Sequence, residues 1–140
     1  MKQYTFCTLS EEELDSVWEL IQNTPVFSNE IKKTSFNGLL EKGLIQLWVE
    51  PNLLDASLLM VTEIHDTALG KYVSILSFSG INSDISREMF KSIKKWAFMN
   101  GAAEIRAVCK DAQARLFAKD GFKKVANVIS LELKNEYISH

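Results

Sequence analysis

Cysteine is scarce in this sequence, and its two cysteines do not form a metal-binding pattern. Cys7 and Cys109 belong to no C-x-x-C pair, and neither histidine lies near them in the chain. Because zinc sites with cysteine ligands need closely spaced donors, the sequence predicts no metal site. Both cysteines lie in apolar stretches typical of strands, so we expect buried free thiols, as in a reducing compartment.

Long apolar stretches and prolines are also few. No run of about 18 apolar residues occurs, and the first residues lack the apolar core of a signal peptide. Pro25 and Pro51 fall where loops are expected, and neither marks a linker. The sequence therefore predicts a single domain over residues 1–140 that is soluble and cytoplasmic and has no membrane partner.

The chain as a whole has no strong excess of positive or negative charge, but residues 1–80 are acidic and residues 81–140 are basic. The formal net charge is -2, yet residues 1–80 carry 5 Lys/Arg against 11 Asp/Glu, and residues 81–140 carry 11 against 7. This division favours a basic surface in the second part, for a protein partner or for nucleic acid. Solvated helix faces explain the same charges without any partner.

Hydrophobic periodicity, by contrast, is clear from the first residues onwards. The stretch 3–9 is rich in strand formers. Ser10 and Glu13 then form a capping box, which predicts the start of a helix. Apolar residues follow at helical spacing, and they are Leu14, Val17, Trp18 and Ile21.

The rest of the chain continues this alternation of strands and helices. A weaker helical region over 29–43 is interrupted at Gly38. Three strand candidates come next, at 44–50, 56–65 and 71–80, and their short connections predict an antiparallel meander. A long helix then begins at Ser83 or Asp84 and ends at Gly101, followed by a strand at 103–109, a short helix closed by Gly121, and one or two strands within 122–134.

The predicted order is therefore β-α-(α)-β-β-β-α-β-α-β(-β). A meander followed by two strand–helix units predicts an α/β (α+β) fold, with a mixed, mostly antiparallel sheet flanked by helices. One side of the long helix is apolar. The opposite side, here called the basic side, carries Arg87, Lys91, Lys94 and Lys95.

This order resembles the GNAT acetyltransferase superfamily. The resemblance is most specific in "KYVSILSFSG", "SREMFKSIKKWAFMNGA", "AEIRAVC" and "ARLFAKDGFKKV", where Gly121 and Phe122 stand at the family's Gly-Phe turn. In that family the N-terminus of the long helix binds the pyrophosphate of acetyl-CoA. The resemblance implies that a bound coenzyme A would contact Ser79, Gly80, Ile81, Asn82 and Ser83.

Two features of the family's chemistry are missing. The family's phosphate loop is rich in glycine and begins with Gln or Arg, whereas "SGINSDIS" has one glycine and places Asp84, an anion, at the site. The family's tyrosine proton donor is replaced by Phe117, which has no hydroxyl group. The motif also departs at Lys110 and Gln113. These differences favour a degenerate, non-catalytic protein without a cofactor.

Two candidates for a general base lie among the strand residues. Glu63 and His65 lie two apart on a predicted strand, so they share one face of the sheet, and Asp66 is adjacent. Such a pair could take a proton from an amine. The simpler interpretation is that both side chains are solvated at a strand end.

The C-terminal half, "WAFMNGAAEIRAVCKDAQARLFAKDGFKKVANVISLEL", resembles small GNAT-like proteins of bacteriophages and prophages, some of them head-assembly or internal virion proteins. This implies a phage protein of the host cytoplasm or the virion that acts in virion assembly through contacts with virion components. The first alternative is a divergent N-acetyltransferase that uses acetyl-CoA. The second is nucleic-acid binding by the basic side of the long helix, although no aromatic stacking motif accompanies it.

Overall fold

The computed structural model describes residues 2–21, 32–80, 84–109, 111–125, 129 and 131. The chain divides into two compact units, Met1–Val108 and Cys109–His140, which are described separately. The single domain expected over residues 1–140 stays a prediction. No helix among the described residues is long and apolar enough to cross a membrane.

The first unit is built on a five-stranded sheet. Its strands are β1 (Lys2–Tyr4), β2 (Gln46–Glu50), β3 (Leu58–Thr67), β4 (Gly70–Ser79) and β5 (Glu104–Ala107), in that spatial order. The first four pair antiparallel, and β5 pairs parallel with β4. The predicted mixed, mostly antiparallel sheet and its central meander are therefore confirmed.

Two helices cover one face of this sheet. They are α1 (Glu11–Ile21) and α2 (Lys33–Glu41). The predicted capping box is present at the start of α1, because the Glu13 N–H donates to Ser10 Oγ at 3.1 Å and the Ser10 N–H donates to Glu13 Oε1 at 2.9 Å. The predicted interruption at Gly38 is wrong, because α2 continues through it. Together with β2 and β3, these helices enclose a core that contains Val17, Ile21, Phe36, Leu40, Leu47, Val49, Leu59 and Val61.

The long helix α3 (Asp84–Met99) packs on the opposite face of the sheet. The Trp96 ring meets the Trp48 ring edge-on, with centroids 5.3 Å apart. Trp48 alternates with Leu47 and Val49 along β2, so it points away from the core under α1 and α2. Met89, Ile93 and Ala97 of α3 are buried, as the apolar stripe predicts.

A buried polar network lies beside these tryptophans. Thr62 Oγ1 accepts a hydrogen bond from Trp48 Nε1 and donates one to Gln46 Oε1, both at 3.0 Å. Gln46 Nε2 in turn donates to the Gly43 carbonyl at 3.4 Å. The three side chains are nearly fully buried, so each satisfies polar atoms that water does not reach.

The prediction that both cysteines are buried within strands is wrong in part. Both are free thiols, but they are only partly buried, and they lie just outside the strands, since β1 ends at Tyr4 and β5 at Ala107. Burial, and secondly the negative charge of Glu13, raises the pKa of the Cys7 thiol. The unreactive thiol form is therefore favoured at Cys7.

The second unit contains helix α4 (Asp111–Ala118) and the turn that closes it. Gly121 has a φ of 93°, which glycine adopts without strain, and the Phe122 N–H donates to the Phe117 carbonyl at 3.3 Å. The predicted Gly-Phe turn is thus present. Residues 122–125 are not in a strand, and most of the predicted final strand lies outside the described residues, as does His140.

Candidate functional site

A cleft of about 220 Å³ opens on the face of the sheet that α1 and α2 cover elsewhere. Leu59 and Val61 on this face of β3 are fully buried by the helices. Two residues further along, the side chains of Glu63 and His65 are 35% and 33% exposed, so the helical cover ends there. The cleft is lined by Glu63, His65, Tyr72, Ser74, Ile75, Leu76 and Val108.

The register of the β3–β4 hairpin brings the polar side chains of the cleft together. His65 lies directly opposite Tyr72, and Glu63 lies opposite Ser74. Residues paired in this way share one face of the sheet. Asp66 does not join them, because it alternates with His65 along β3 and pairs with Lys71. The prediction that Glu63 and His65 share a face is confirmed, whereas their catalytic role stays a prediction.

An irregularity in β4 forms the inner wall of the cleft. Thr62 pairs with Ile75 and Val61 pairs with Ser77, which leaves Leu76 as one extra residue on β4. Such a bulge bends a strand and is common beside active sites. The parallel ladder with β5 also ends here, at Ile75 and Ala107, although β4 continues to Ser79. The bulge and the end of the ladder therefore coincide at the cleft.

The Glu63 carboxylate and the His65 imidazole form a loose pair at the mouth of the cleft. Glu63 Oε1 lies 3.7 Å from His65 Nε2, slightly beyond hydrogen-bond length. The imidazole stacks on the Tyr72 ring, with centroids 4.6 Å apart and planes 7° from parallel. Stacking restrains the imidazole plane, and Nε2 lies beside the Glu63 carboxylate in the lining of the cleft. This arrangement can accept a proton from a bound amine.

A cation lies on the other side of the same tyrosine. The Arg106 guanidinium carbon is 3.9 Å from the centre of the Tyr72 ring. Glu104 contacts the same guanidinium, with Oε2 at 3.4 Å from Nε and Oε1 at 3.5 Å from Nη2. Tyr72, Ser74 and Arg106 were not predicted as site residues from the sequence. The tight turn before Gly70 was the available signal for Tyr72, since a short hairpin fixes which residues face each other.

The predicted coenzyme residues are only partly described. Ser79 ends β4, opposite Leu59. Gly80 has a φ of 82°, and a Cβ atom there would lie 2.3 Å from the Ser57 carbonyl oxygen. The close approach of the backbone at Gly80 to the backbone at Ser57 therefore explains why a glycine is needed here, and a bound phosphate is not required as the reason. Ile81, Asn82 and Ser83 lie outside the described residues, so coenzyme binding at these five positions stays a prediction.

Two further predictions concern the proton donor at position 117 and a metal site. Phe117, at the family's proton-donor position, is 3% exposed and packs on Phe122, with ring centroids 5.0 Å apart. It is thus a packing residue of the second unit. Within the described part of the chain, no group of three or more His, Cys, Asp or Glu residues could hold a metal ion.

No protein-family model and no curated protein sequence matches the chain. Solved structures do. A predicted acetyltransferase with acetyl-CoA from Clostridium acetobutylicum is 14% identical, with a TM-score of 0.68 over 99% of this chain and 97% of that chain. An aminoglycoside acetyltransferase in complex with sisomicin, from an uncultured soil metagenomic sample, is 13% identical, with a TM-score of 0.66 over 95% of both chains.

Glucosamine-6-phosphate N-acetyltransferase from Arabidopsis thaliana is 14% identical, with a TM-score of 0.63 over 95% of this chain and 98% of that chain. These similarities extend over almost the whole chain at very low sequence identity, so they concern the fold. Together with the five-stranded, mostly antiparallel sheet and its flanking helices, they show that the chain has a GNAT-like fold.

Proposed function

We propose that the chain is a divergent N-acyltransferase that moves the acetyl group of acetyl-CoA onto a primary amine. The observation that carries this proposal is the cleft at the end of the β4–β5 ladder, with the Glu63–His65 pair on its wall. The similar structures named above include an acetyltransferase with acetyl-CoA and one with an aminoglycoside. They support an acyl donor and an amine as the pair of substrates.

The apolar wall of the cleft suits the acetyl end of the donor. Leu76 and Val108 line it, next to the point where β5 stops pairing with β4. We place the thioester carbonyl there, with the methyl group against these two side chains, because apolar contact keeps water from hydrolysing the thioester. Ser79 to Ser83 remain the proposed contacts for the phosphates.

The proton and the electrons can be followed through this geometry. An amine arrives as ammonium, which the Glu63 carboxylate attracts, and His65 Nε2 accepts its proton. The free amine attacks the thioester carbonyl carbon, so that a C–N bond forms. Collapse of the tetrahedral intermediate breaks the C–S bond, and coenzyme A leaves as a thiolate. The thiolate takes the second proton that the nitrogen must lose to become a neutral amide, and the His65 imidazolium releases the first proton to water.

The loss of a tyrosine donor at Phe117 is compatible with this chemistry. Thiols ionise at a pKa of about 8.5, so a thiolate leaves far more readily than an alkoxide or an amide would. A general acid therefore contributes less to this step than to ester or amide cleavage. We expect a slow enzyme rather than an inactive one.

The test combines coenzyme binding with thiol release. We expect acetyl-CoA to bind with a dissociation constant in the micromolar range in calorimetric titration. In the presence of amines, thiol release should fall about 100-fold in Glu63→Gln and in His65→Gln, with coenzyme affinity unchanged. Asp66→Asn is the matched control, because Asp66 points away from the cleft, and it should behave as the unaltered chain does. Absence of binding at millimolar acetyl-CoA would refute the proposal.

The other two functions predicted from the sequence lack a comparable observation. Virion assembly is supported neither by the comparisons nor by a feature of the described residues, and it stays a prediction. The basic side of α3 is exposed, but Lys91 lies 3.3 Å from Glu88, and Lys94 is 5.5 Å from the Phe90 ring centre. Nucleic-acid binding would appear as an affinity that falls steeply with salt.

A further inference from the structure

The cleft region carries opposite charges on the two sides of one aromatic ring. His65 belongs to β3, Tyr72 to β4 and Arg106 to β5, and β3 and β5 lie on opposite sides of β4. The imidazole centre is 4.6 Å and the guanidinium carbon 3.9 Å from the Tyr72 ring centre. Glu63 adds a negative charge on the β3 side. The ring therefore separates the Glu63 carboxylate from the Arg106 guanidinium, which has the Glu104 carboxylate beside it.

This order of charges fits a ligand with two opposite charges of its own. Its ammonium would meet Glu63 and His65, and its anionic group would meet the Arg106 guanidinium across Tyr72. The His65 imidazole lies 4.6 Å and the Arg106 guanidinium carbon 3.9 Å from the centre of the Tyr72 ring, so the distance between these two groups is at most the sum of the two. Arg106 lies outside the lining of the cleft of about 220 Å³, so the anionic group would extend past the Tyr72 ring, and the short separation of the two charged ends fits a small ligand.

We infer that the acyl acceptor is a small amine that also bears a carboxylate or a phosphate, and that Arg106 selects it by binding this anionic group. The inference rests on the acyltransfer function proposed above and names its class of acceptor. Arg106 is thus a specificity-determining residue, distinct from the groups that handle the proton.

The guanidinium is well placed for this role. The guanidinium carbon lies over the Tyr72 ring, and a guanidinium held against an aromatic face loses less freedom when it binds a carboxylate or a phosphate through two parallel hydrogen bonds. It has five N–H donors, and the contacts to Glu104 engage the donors on Nε and Nη2. Those contacts are long, and both side chains are more than half exposed, so the Glu104 pair is weak and can yield to a ligand.

The experiment measures binding without acetyl-CoA, by NMR titration of the ¹⁵N-labelled chain. The probes are γ-aminobutyrate against its neutral amide, and phosphoethanolamine against ethanolamine. In at least one pair, we expect the member with the anionic group to bind about 10-fold or more tightly than the member without it, with shifts at Tyr72 and its strand neighbours. The pair that shows the larger difference distinguishes a carboxylate from a phosphate acceptor.

Two variants and one control assign this preference to Arg106. Arg106→Gln should remove it, weakening the binding of the probe with the anionic group about 10-fold and leaving the affinity for the probe without that group unchanged. Glu104→Gln should raise the affinity for the probe with the anionic group between about 1.5-fold and 5-fold, because the Glu104 carboxylate no longer competes with the probe for the guanidinium. Arg115→Gln, which removes an exposed arginine of α4, should match the unaltered chain. In thiol release, Arg106→Gln should raise KM for the anionic amine and leave kcat unchanged.

Several results would overturn the inference. Equal affinity for the members with and without the anionic group in both pairs would do so, as would an Arg106→Gln variant that weakens the binding of both members alike. Failure of every probe to bind at millimolar concentration would do so too. Preferential binding of an anionic amine without thiol release would retain the role of Arg106 and refute the acyltransferase proposal, so the two failures are distinguishable.

Discussion

Replacing Thr62 by valine tests the buried polar network between the sheet and α3. The two side chains have nearly the same shape, so no cavity forms. The change removes the hydroxyl that accepts from Trp48 Nε1 and donates to Gln46 Oε1, each at 3.0 Å. Because Trp48, Gln46 and Thr62 are almost fully buried, water cannot replace either bond. Two polar atoms are left without a partner.

The magnitude follows from those two atoms. A buried donor or acceptor without a partner costs about 1–3 kcal/mol. The new methyl group returns about 1 kcal/mol of apolar burial. We therefore expect Thr62→Val to lower the free energy of unfolding by about 3 kcal/mol. Urea denaturation followed by tryptophan fluorescence measures this directly, since Trp48 and Trp96 are in contact at the site.

The matched control is Thr62→Ser, which keeps the hydroxyl and loses a methyl group. Thr62→Ser should lower the free energy of unfolding by about 1 kcal/mol, which is less than the loss in Thr62→Val, although serine differs more from threonine in shape than valine does. Thr62→Val should also cost less when Trp48 is already phenylalanine, because the indole N–H is then absent. A valine variant as stable as the unaltered chain, or a serine variant that is less stable than the valine one, would refute the network as a source of stability.

Two further predictions concern the backbone. Ser10→Ala removes the cap of α1 and should lower the free energy of unfolding by about 1 kcal/mol in the same denaturation assay, whereas an unchanged midpoint would contradict the capping box. Gly80→Ala should cost about 2 kcal/mol or more, because alanine is strained at a φ of 82° and its Cβ would meet the Ser57 carbonyl. That loss of stability should appear whether or not acetyl-CoA is present. A Gly80→Ala variant that keeps full stability and fails only to bind the coenzyme would show that Gly80 is required for the coenzyme and not for the approach to Ser57.

Local patterns were enough to predict most of the fold. Ser10 and Glu13 stand at the spacing of a capping box, and they cap α1 through the hydrogen bonds that this spacing implies. The three strands of the meander were found from apolar stretches and short turns. The same local logic failed at Gly38, where α2 continues through a residue of low helix propensity because Phe36 and Leu40 are buried in the core.

The candidate site was predictable only in part, because it depends on pairings between distant residues. Glu63 and His65 share a face through local alternation, and that much could be predicted. Arg106 reaches Tyr72 only because β5 pairs parallel with β4, a contact between residues far apart in sequence. The contact of Gly80 with Ser57 is of the same kind, because these residues are far apart in sequence.

The extra residue in β4 has a consequence for how the cleft is maintained. Without Leu76, the neighbouring pairs Thr62–Ile75 and Val61–Ser77 would follow each other as in a regular ladder, and the side chains beyond them would keep their faces. Deleting it would therefore make β4 a more regular strand while removing part of the apolar wall beside the proposed thioester position. Leu76 also packs against the buried core, so its retention serves both the wall of the cleft and the packing beneath the helices.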